Sequence, residues 1–569
     1  MSSKKSTPGF GSDAPPGSKK TSAEAKASDA TAADTTERSD NSASSSSSSS
    51  PANKTAMDRV LGAIEYVGNK LPEPFTLFLI LFLITAVIST VLASMGAEVQ
   101  IPGEEETVKI KGFFTGEGLT WFTTNLGPNY LGFPPLVTVL TIMLGVGVAE
   151  RSGMLSALIR KLFGSANRAV LPYAVGIIGV TASVMADAAF VVIPPLAAMV
   201  FKAAGRHPVA GLLGGFAAVG AGYSTALVPT SLDALFAGIT NAVMQTLPNL
   251  DATEVNPVSN YYFNIAASLV LGIIAGFITD KVLEPRMHKL DVPQEIADGN
   301  DMDTDADGNP ISAQLTNEEI RGLVFTGIAM VVVTAIILFA VLLPDSPWRN
   351  EEGGFLPKSP LLQSIVFIVF TYFLTMGVVY GAVVGSIKGV KDVVDMMTSA
   401  MGDLLGFLVL AFILGNFIAL FNWSGIGTFS AVKGAEFLES TGVTGFGAIL
   451  AFIILASLLN LLVISGSAMW TLMAAVFVPM FALIGFEPSF TQAAFRVGDS
   501  ATQIITPLNP YIIVILTLLR RYEPKAGLGT LMSRLVVFVI PFWTAWAILL
   551  FIWYTFDLQL GPGSSIFLG

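Results

Sequence analysis

The chain has 569 residues, of which 52% are hydrophobic and only 13% charged, and its mean hydropathy is +0.67. Soluble domains carry about 25% charged residues, so this composition excludes a soluble globular protein. The net charge of -11 argues against a nucleic-acid partner; the lack of cysteine excludes disulfides and thiolate metal centres, and two histidines are too few for a His-rich metal site.

Residues 1–56 are rich in Ser, Ala, Lys and Asp and include seven consecutive serines, Ser44 to Ser50. They cannot bury enough apolar surface to fold and are expected to be a disordered cytoplasmic tail, with 57–569 forming one membrane domain. No apolar stretch follows the early lysines, so the tail is not a signal peptide. Apolar runs long enough to cross a hydrocarbon layer of about 30 Å then follow one another, near 74–95, 131–150, 210–247, 261–281, 323–343, 361–388, 401–421, 491–520 and 531–555.

Basic clusters set the orientation of these spans. Arg151, Arg160, Lys161 and Arg168, then Lys202, Arg206 and His207, then Lys281, Arg286 and Lys289, then Lys388 and Lys391, and finally Arg520, Arg521 and Lys525 mark the cytoplasmic side. Two apolar stretches do not fit as single crossings. Residues 169–204 have basic clusters at both ends, and 446–484 must start and finish outside. Each is expected to be a re-entrant hairpin, with a polar tip at Ser183–Asp187 in the first and Asn460–Ser467 in the second. The fold class is therefore all-α and polytopic, with about nine transmembrane helices and two re-entrant hairpins. Glu150-Arg151-Ser152-Gly153 leads into the first hairpin and Asn422-Trp423-Ser424-Gly425 into the second. Together with the opposed hairpins this reads as an inverted repeat, an architecture of alternating-access transporters.

The spans that follow the hairpins are too long or too interrupted to be straight. Residues 210–247 would make a helix of about 57 Å and contain Val228-Pro229-Thr230-Ser231. Residues 491–520 contain Thr506-Pro507-Leu508-Asn509-Pro510, whose prolines free backbone carbonyls at mid-depth. Both helices are expected to break. On the second, Arg496, Asp499, Gln503 and Thr506 share one face, and charges within an apolar span mark a functional site, although Arg496 and Asp499 could also neutralise each other. Asp187 at the first tip is read either as the cap of the second half-helix or as a cation or proton site. Asp233 is a secondary candidate and Glu150 is interfacial. Trp470 is either a binding surface or packing. The acidic loop 282–322 carries Asp303, Asp305, Asp307 and Gly308, the start of a calcium-loop pattern, but Gln314 stands where a bidentate Glu is needed. It reads as a solvated connector, closed by a capping box at Thr316 and Glu319.

The stretches VGNKLPEPFTLFLILFLI (67–84), LGVGVAERSGM (144–154), MADAAFVVIPPLAAMVFKAAGRHPVAG (185–211), FNWSG (421–425), SGSAMW (465–470) and FVPMFALIGFEPSFTQAAFRVGDSATQIITPLNPY (477–511) resemble the AbgT family. The resemblance implies a homodimer in a bacterial cytoplasmic membrane, with nine helices and two hairpins per protomer and its N-terminus in the cytoplasm. It implies ion-driven transport of p-aminobenzoyl-glutamate, or export of sulfonamide antimetabolites; a passive channel is the alternative of a different class, and the absence of a Ser–His or His-rich metal constellation argues against an enzyme. Positions matching the family's functional motifs are Asp187, Asn460, Ser467, Trp470, Pro488, Arg496, Asp499 and Pro507. On this reading Arg496 meets a substrate carboxylate and Trp470 stacks on the aminobenzoyl ring, with Ser467, Asp499 and Asn460 beside them. Asp187, Asp499, Asn460 and Gln503 handle the coupling sodium or proton, and a sodium ion would sit at Asp499, Gln503 and Thr506. Pro229, Pro488, Pro507 and Pro510 shape the breaks and turns. Gln503 stands where the family usually has Asn, which makes sodium coupling less secure than the fold.

Overall fold

The computed structural model describes residues 72–102, 107–164, 166–295, 314–356 and 358–569. The Ser-rich tail and the Asp303–Gly308 segment lie outside the described residues. Apolar α1 (Pro74–Ser94) leads into a two-stranded antiparallel ribbon, β1 (Glu98–Gln100) and β2 (Thr107–Lys109), and then into α2 (Gly116–Leu131). From there the chain runs through the same series of elements twice.

The first series is α3 (Pro134–Arg151), α4 (Met154–Gly164), a hairpin of α5 (Leu171–Thr181) and α6 (Ala188–Ala203), the broken pair α7 (Pro208–Ala221) and α8 (Ser231–Met244), and α9 (Tyr261–Ile278), which continues through a π turn to Lys289. Three long connecting helices follow, with a single helical turn at Pro360–Gln363 between the first two: α10 (Asn317–Leu342), α11 (Ile365–Val384) and α12 (Val390–Asp403). The second series is α13 (Leu405–Trp423), α14 (Ile426–Thr441), a hairpin of α15 (Phe446–Asn460) and α16 (Gly466–Leu483), the broken pair α17 (Pro488–Ala501) and α18 (Pro510–Tyr522), and α19 (Leu528–Phe556). The match extends to the turns: Gly153 ends the first Ser-Gly turn at φ +88° and Gly425 the second at φ +77°, conformations that favour glycine. Eight helices, or nine if the bent pair α14 and α15 counts as one span, are long and apolar enough to cross a membrane among the described residues. The arms of the first hairpin are shorter. At 1.5 Å per residue, α5 reaches only about 16 Å.

The reading of 131–150 as a simple span needs amendment, whereas 401–421 is close to the single span α13. Gly132 and Phe133 join α2 to α3 so closely that Gly116–Arg151 is one interrupted apolar unit, and the amphipathic α12 leads into α13. Short-range hydrophobicity does not reveal such joints, because a bend at a helix end leaves the apolar run intact. The capping box at Thr316 is present: the Thr316 N–H donates to Glu319 Oε2 at 2.8 Å, and the Glu319 N–H donates to Thr316 Oγ1 at 3.2 Å.

Small residues bring the pieces close. A Cβ on Gly176 of α5 would meet the Gly272 carbonyl oxygen of α9 at 2.1 Å, and one on Gly498 of α17 would meet the Ala456 Cβ of α15 at 2.5 Å. Several basic side chains are tied together near the helix ends. Arg206 pairs with Asp280 and Glu284 and donates to the Arg168 carbonyl, and Arg534 pairs with Glu523 at 2.5 Å. The final segment, 557–569, folds back over the turn between α16 and α17. There Glu487 N–H donates to Ile566 O at 2.8 Å and Leu568 N–H to Gly485 O at 3.0 Å.

Glu487, just before Pro488 at the start of α17, is buried and accepts hydrogen bonds from the Thr253 N–H and hydroxyl, the latter at 2.9 Å. Burial holds its carboxyl above the ordinary carboxylate range, the Thr253 hydrogen bonds opposing only part of that shift. A raised folded-state value means a stabilising contribution that is present at low pH and lost as pH rises through that value. Glu487→Gln keeps an acceptor for Thr253 without the charge. It is expected to raise the thermal unfolding midpoint of purified protein at about pH 7.5, the difference from wild type closing towards about pH 4. An equal difference at both pH values would show that the carboxylate is not the cause.

Candidate functional site

The two breaks meet at the centre of the molecule. Residues 222–230 separate α7 from α8, where Gly222 lets the chain pass against Val180 of the first hairpin and Thr230 caps α8. Residues 502–509 separate α17 from α18, where Asn509 caps α18 by accepting from the Tyr511 N–H at 3.0 Å. Ser224 of the first break and Ser500 in the last turn of α17 form a 2.7 Å hydroxyl pair. Each hairpin tip is bonded to the break of its own half. Ser183 donates to the Thr225 carbonyl at 2.9 Å, and Thr506 donates to the Leu461 carbonyl at 3.0 Å.

Arg496 is buried in α17, but its partner is not Asp499. Its Nη2 lies 2.8 Å from Asp233 Oδ1, its Nη1 donates to the Ser224 carbonyl, and its guanidinium lies 5.3 Å from the centre of the Phe236 ring. Asp233 is fixed in turn: Oδ2 accepts from the Thr230 N–H at 2.7 Å and hydroxyl at 2.9 Å, and Oδ1 accepts from Asn264 at 3.1 Å. This bridge ties α17 to the first broken pair, and it commits the cation expected to meet a substrate carboxylate. Trp470 is likewise committed, with 0% exposure. Its indole N–H donates to Phe236 O and Thr240 Oγ1, both at 3.2 Å, and its ring lies 4.6 Å from that of Phe495. In this conformation neither side chain lines the central cavity.

That cavity has a volume of about 670 Å³. Asp187 enters it from the first tip, Ser465 and Ser467 from the second, and Gln503, Asn509 and Pro510 from the second break. Asp187 makes no side-chain bond to the start of α6, so capping is not its role here; the Tyr511 hydroxyl is placed to hydrogen-bond it. Tyr511 stacks on Phe190 with ring centres 4.9 Å apart and planes within 3°, and Tyr223 of the first break packs over Gly466 at the second tip. Tyr223 and Tyr511 are cavity residues that sequence reasoning did not single out, because aromatic side chains in apolar spans read as packing, and Asn509 was named only as part of the Thr506–Pro510 break. Their position beside Gly222 and Pro510 was the available signal.

Asp499 and Asn460 lie just behind the cavity. The Asn460 amide donates to the Asp499 carbonyl and, at 2.9 Å, to Thr502 Oγ1. Four buried oxygens in this small region have no hydrogen-bond partner: both carboxylate oxygens of Asp499, Asn460 Oδ1 and Gln503 Oε1. Unpaired buried oxygens are costly unless something satisfies them, and a carboxylate with amide carbonyls is a donor set suited to a hard cation. Of the remaining candidates, Pro488 starts α17, Pro507 lies within the second break, and Pro229 faces a separate apolar cavity against α10 and α11.

Paired hairpins, paired broken helices and a central cavity built by both halves are the parts of a polytopic membrane transporter. The chain belongs to the AbgT putative transporter family, whose model matches residues 59–568. It is 35% identical over 506 residues to the p-aminobenzoyl-glutamate transport protein of Escherichia coli strain K12, covering 89% of this chain and 96% of that one. Its fold matches the crystal structure of the YdaH transporter of Alcanivorax borkumensis with a TM-score of 0.79 and 35% identity, over 86% of this chain and all of that one. It also matches MtrF of Neisseria gonorrhoeae, described as illuminating a class of antimetabolite efflux pumps, with a TM-score of 0.81 and 36% identity, over 89% of this chain and all of the other.

Proposed function

We propose that this protein is an ion-coupled secondary transporter of p-aminobenzoyl-glutamate or closely related compounds. The observation that carries the reading is the cavity lined by both hairpin tips and the second break, with unpaired buried oxygens directly behind it. The substrate's carboxylates would be received by Ser465, Ser467 and Asn509, at the N-terminal ends of α16 and α18, where backbone N–H groups and helix dipoles favour negative charge. This replaces Arg496 as the direct partner and gives it the task of holding the two halves together. Asp499, Asn460 and Gln503 would hold a coupling sodium ion, with Thr506 at the same break. Asp187, facing the cavity, is the alternative carrier of a proton. The reading takes the chain as a homodimer in a bacterial cytoplasmic membrane, with its basic clusters and N-terminus on the cytoplasmic side. The likeness to MtrF supports a second reading, export of antimetabolites such as sulfonamides, which greater sulfonamide sensitivity of cells lacking the gene would support.

Purified protein in liposomes should accumulate labelled p-aminobenzoyl-glutamate saturably when a sodium or a proton gradient is imposed, each tested alone. Asp499→Ala should abolish gradient-driven accumulation. Normal gradient-driven transport by that variant would overturn the coupling site, and flux that neither saturates nor follows a gradient would favour a channel.

A further inference from the structure

A second, smaller cavity of about 180 Å³ lies on the other side of the first hairpin tip. Asp187, Phe190 and Tyr223 line both cavities and so form the wall between them. Beyond that wall the small chamber is closed mostly by apolar side chains from four helices: Val139 and Met143 of α3, Val219 of α7, Leu235 of α8 and Phe407 of α13. Its volume is close to that of an apolar cavity of about 150 Å³ known to take up benzene, so it accommodates one aromatic ring and little more. Phe190 and Tyr223 offer ring faces and edges to such a guest.

The polar groups at its edge are few. The Ser183 hydroxyl is bonded to the Thr225 carbonyl, which leaves the Asp187 carboxylate, free of any capping bond, and Ser231 at the start of α8. An apolar slot of one-ring size with a hydrogen-bond acceptor at its rim selects a flat ring carrying a small donor, such as an arylamine.

We propose that this chamber is the subsite for the 4-aminophenyl ring of the transported molecule, with the ring amine donating to Asp187 and the remainder of the molecule occupying the large cavity. The proposal rests on the functional reading above and extends it. It places ring recognition in the slot behind the first tip instead of on Trp470, and it puts the ring amine on a carboxylate also facing Tyr511 of the second break. Loading the slot would thereby report to both halves of the repeat.

The test uses the full chain in lipid nanodiscs with 4-aminobenzamide as the probe, binding followed by calorimetry. Wild type should bind it at one saturable site, and benzamide, which lacks the amine, about tenfold more weakly. Leu235→Phe and Val139→Phe, which fill the slot without touching the large cavity, should each weaken binding at least about tenfold. Leu235→Ala should newly admit 6-amino-2-naphthamide, a gain that misfolding cannot mimic. No binding to wild type, or unchanged binding by both filled variants, would overturn the proposal. Transport of p-aminobenzoyl-glutamate is measured in parallel. Wild type that binds the probe as described but does not transport defeats the functional reading alone. Transport with an unchanged KM in Leu235→Phe and Val139→Phe defeats the subsite alone.

Discussion

Asp233→Ala is expected to reduce stability by about 3–5 kcal/mol and to leave little monodisperse protein after extraction in mild detergent. The reason is the guanidinium left behind. Arg496 is 1% exposed, and without Asp233 it would keep only the Ser224 carbonyl and the face of Phe236 as partners in a dry interior. Losing one member of a buried ion pair costs far more than losing both, because desolvation of the remaining charge is no longer offset. The double variant Asp233→Leu with Arg496→Met should therefore recover most of the lost yield and thermal midpoint. Wild-type stability in the single variant would show that Arg496 finds another partner.

Gly222→Ala should be nearly as damaging, at about 3 kcal/mol. A Cβ there would lie 2.1 Å from the carbonyl oxygen of Val180 and 2.5 Å from its Cα. Both atoms are backbone, so no side-chain rotation relieves the clash, and either the first break or the arm α5 must shift. Gly327→Ala serves as the comparison. It sits within α10 with nothing within 4 Å of the added carbon, and it should show no loss of thermal midpoint. Equal behaviour of the two variants would mean that the contact between break and hairpin is not tight.

The features readable from sequence were those written in local chemistry. Pro229, Pro507 and Pro510 announce the breaks because proline cannot donate a backbone hydrogen bond, and basic residues at both ends of 169–204 announce a hairpin because charge avoids the apolar layer. The arms run from Leu171 to Ala203 and from Phe446 to Leu483, close to the expected limits. What stayed hidden depends on contacts distant along the chain. Arg496 could be matched with Asp499, three residues away, but its partner Asp233 lies on another helix and comes within reach only when the two breaks meet. Trp470 could be ranked as a binding surface or as packing. Choosing between them requires knowing that Phe236, Thr240 and Phe495 surround it. Tyr223 and Tyr511 went unnoticed for the converse reason, since nothing local shows that a tyrosine faces a cavity.

At the tip of the first hairpin, Ala186 has φ +47° and ψ -130°, a region that residues other than glycine rarely occupy. Holding a non-glycine residue there costs about 1–3 kcal/mol, and that cost belongs to this conformation of the tip alone. A rearrangement that returned Ala186 to an ordinary backbone region would recover it, an amount comparable to typical coupling energies between conformational states. The contacts that hold the tip, among them Ser183 to the Thr225 carbonyl and Gly222 against Val180, therefore work against this local cost. Ala186→Gly would remove most of that local cost, and a raised thermal midpoint of the purified variant is the expected result.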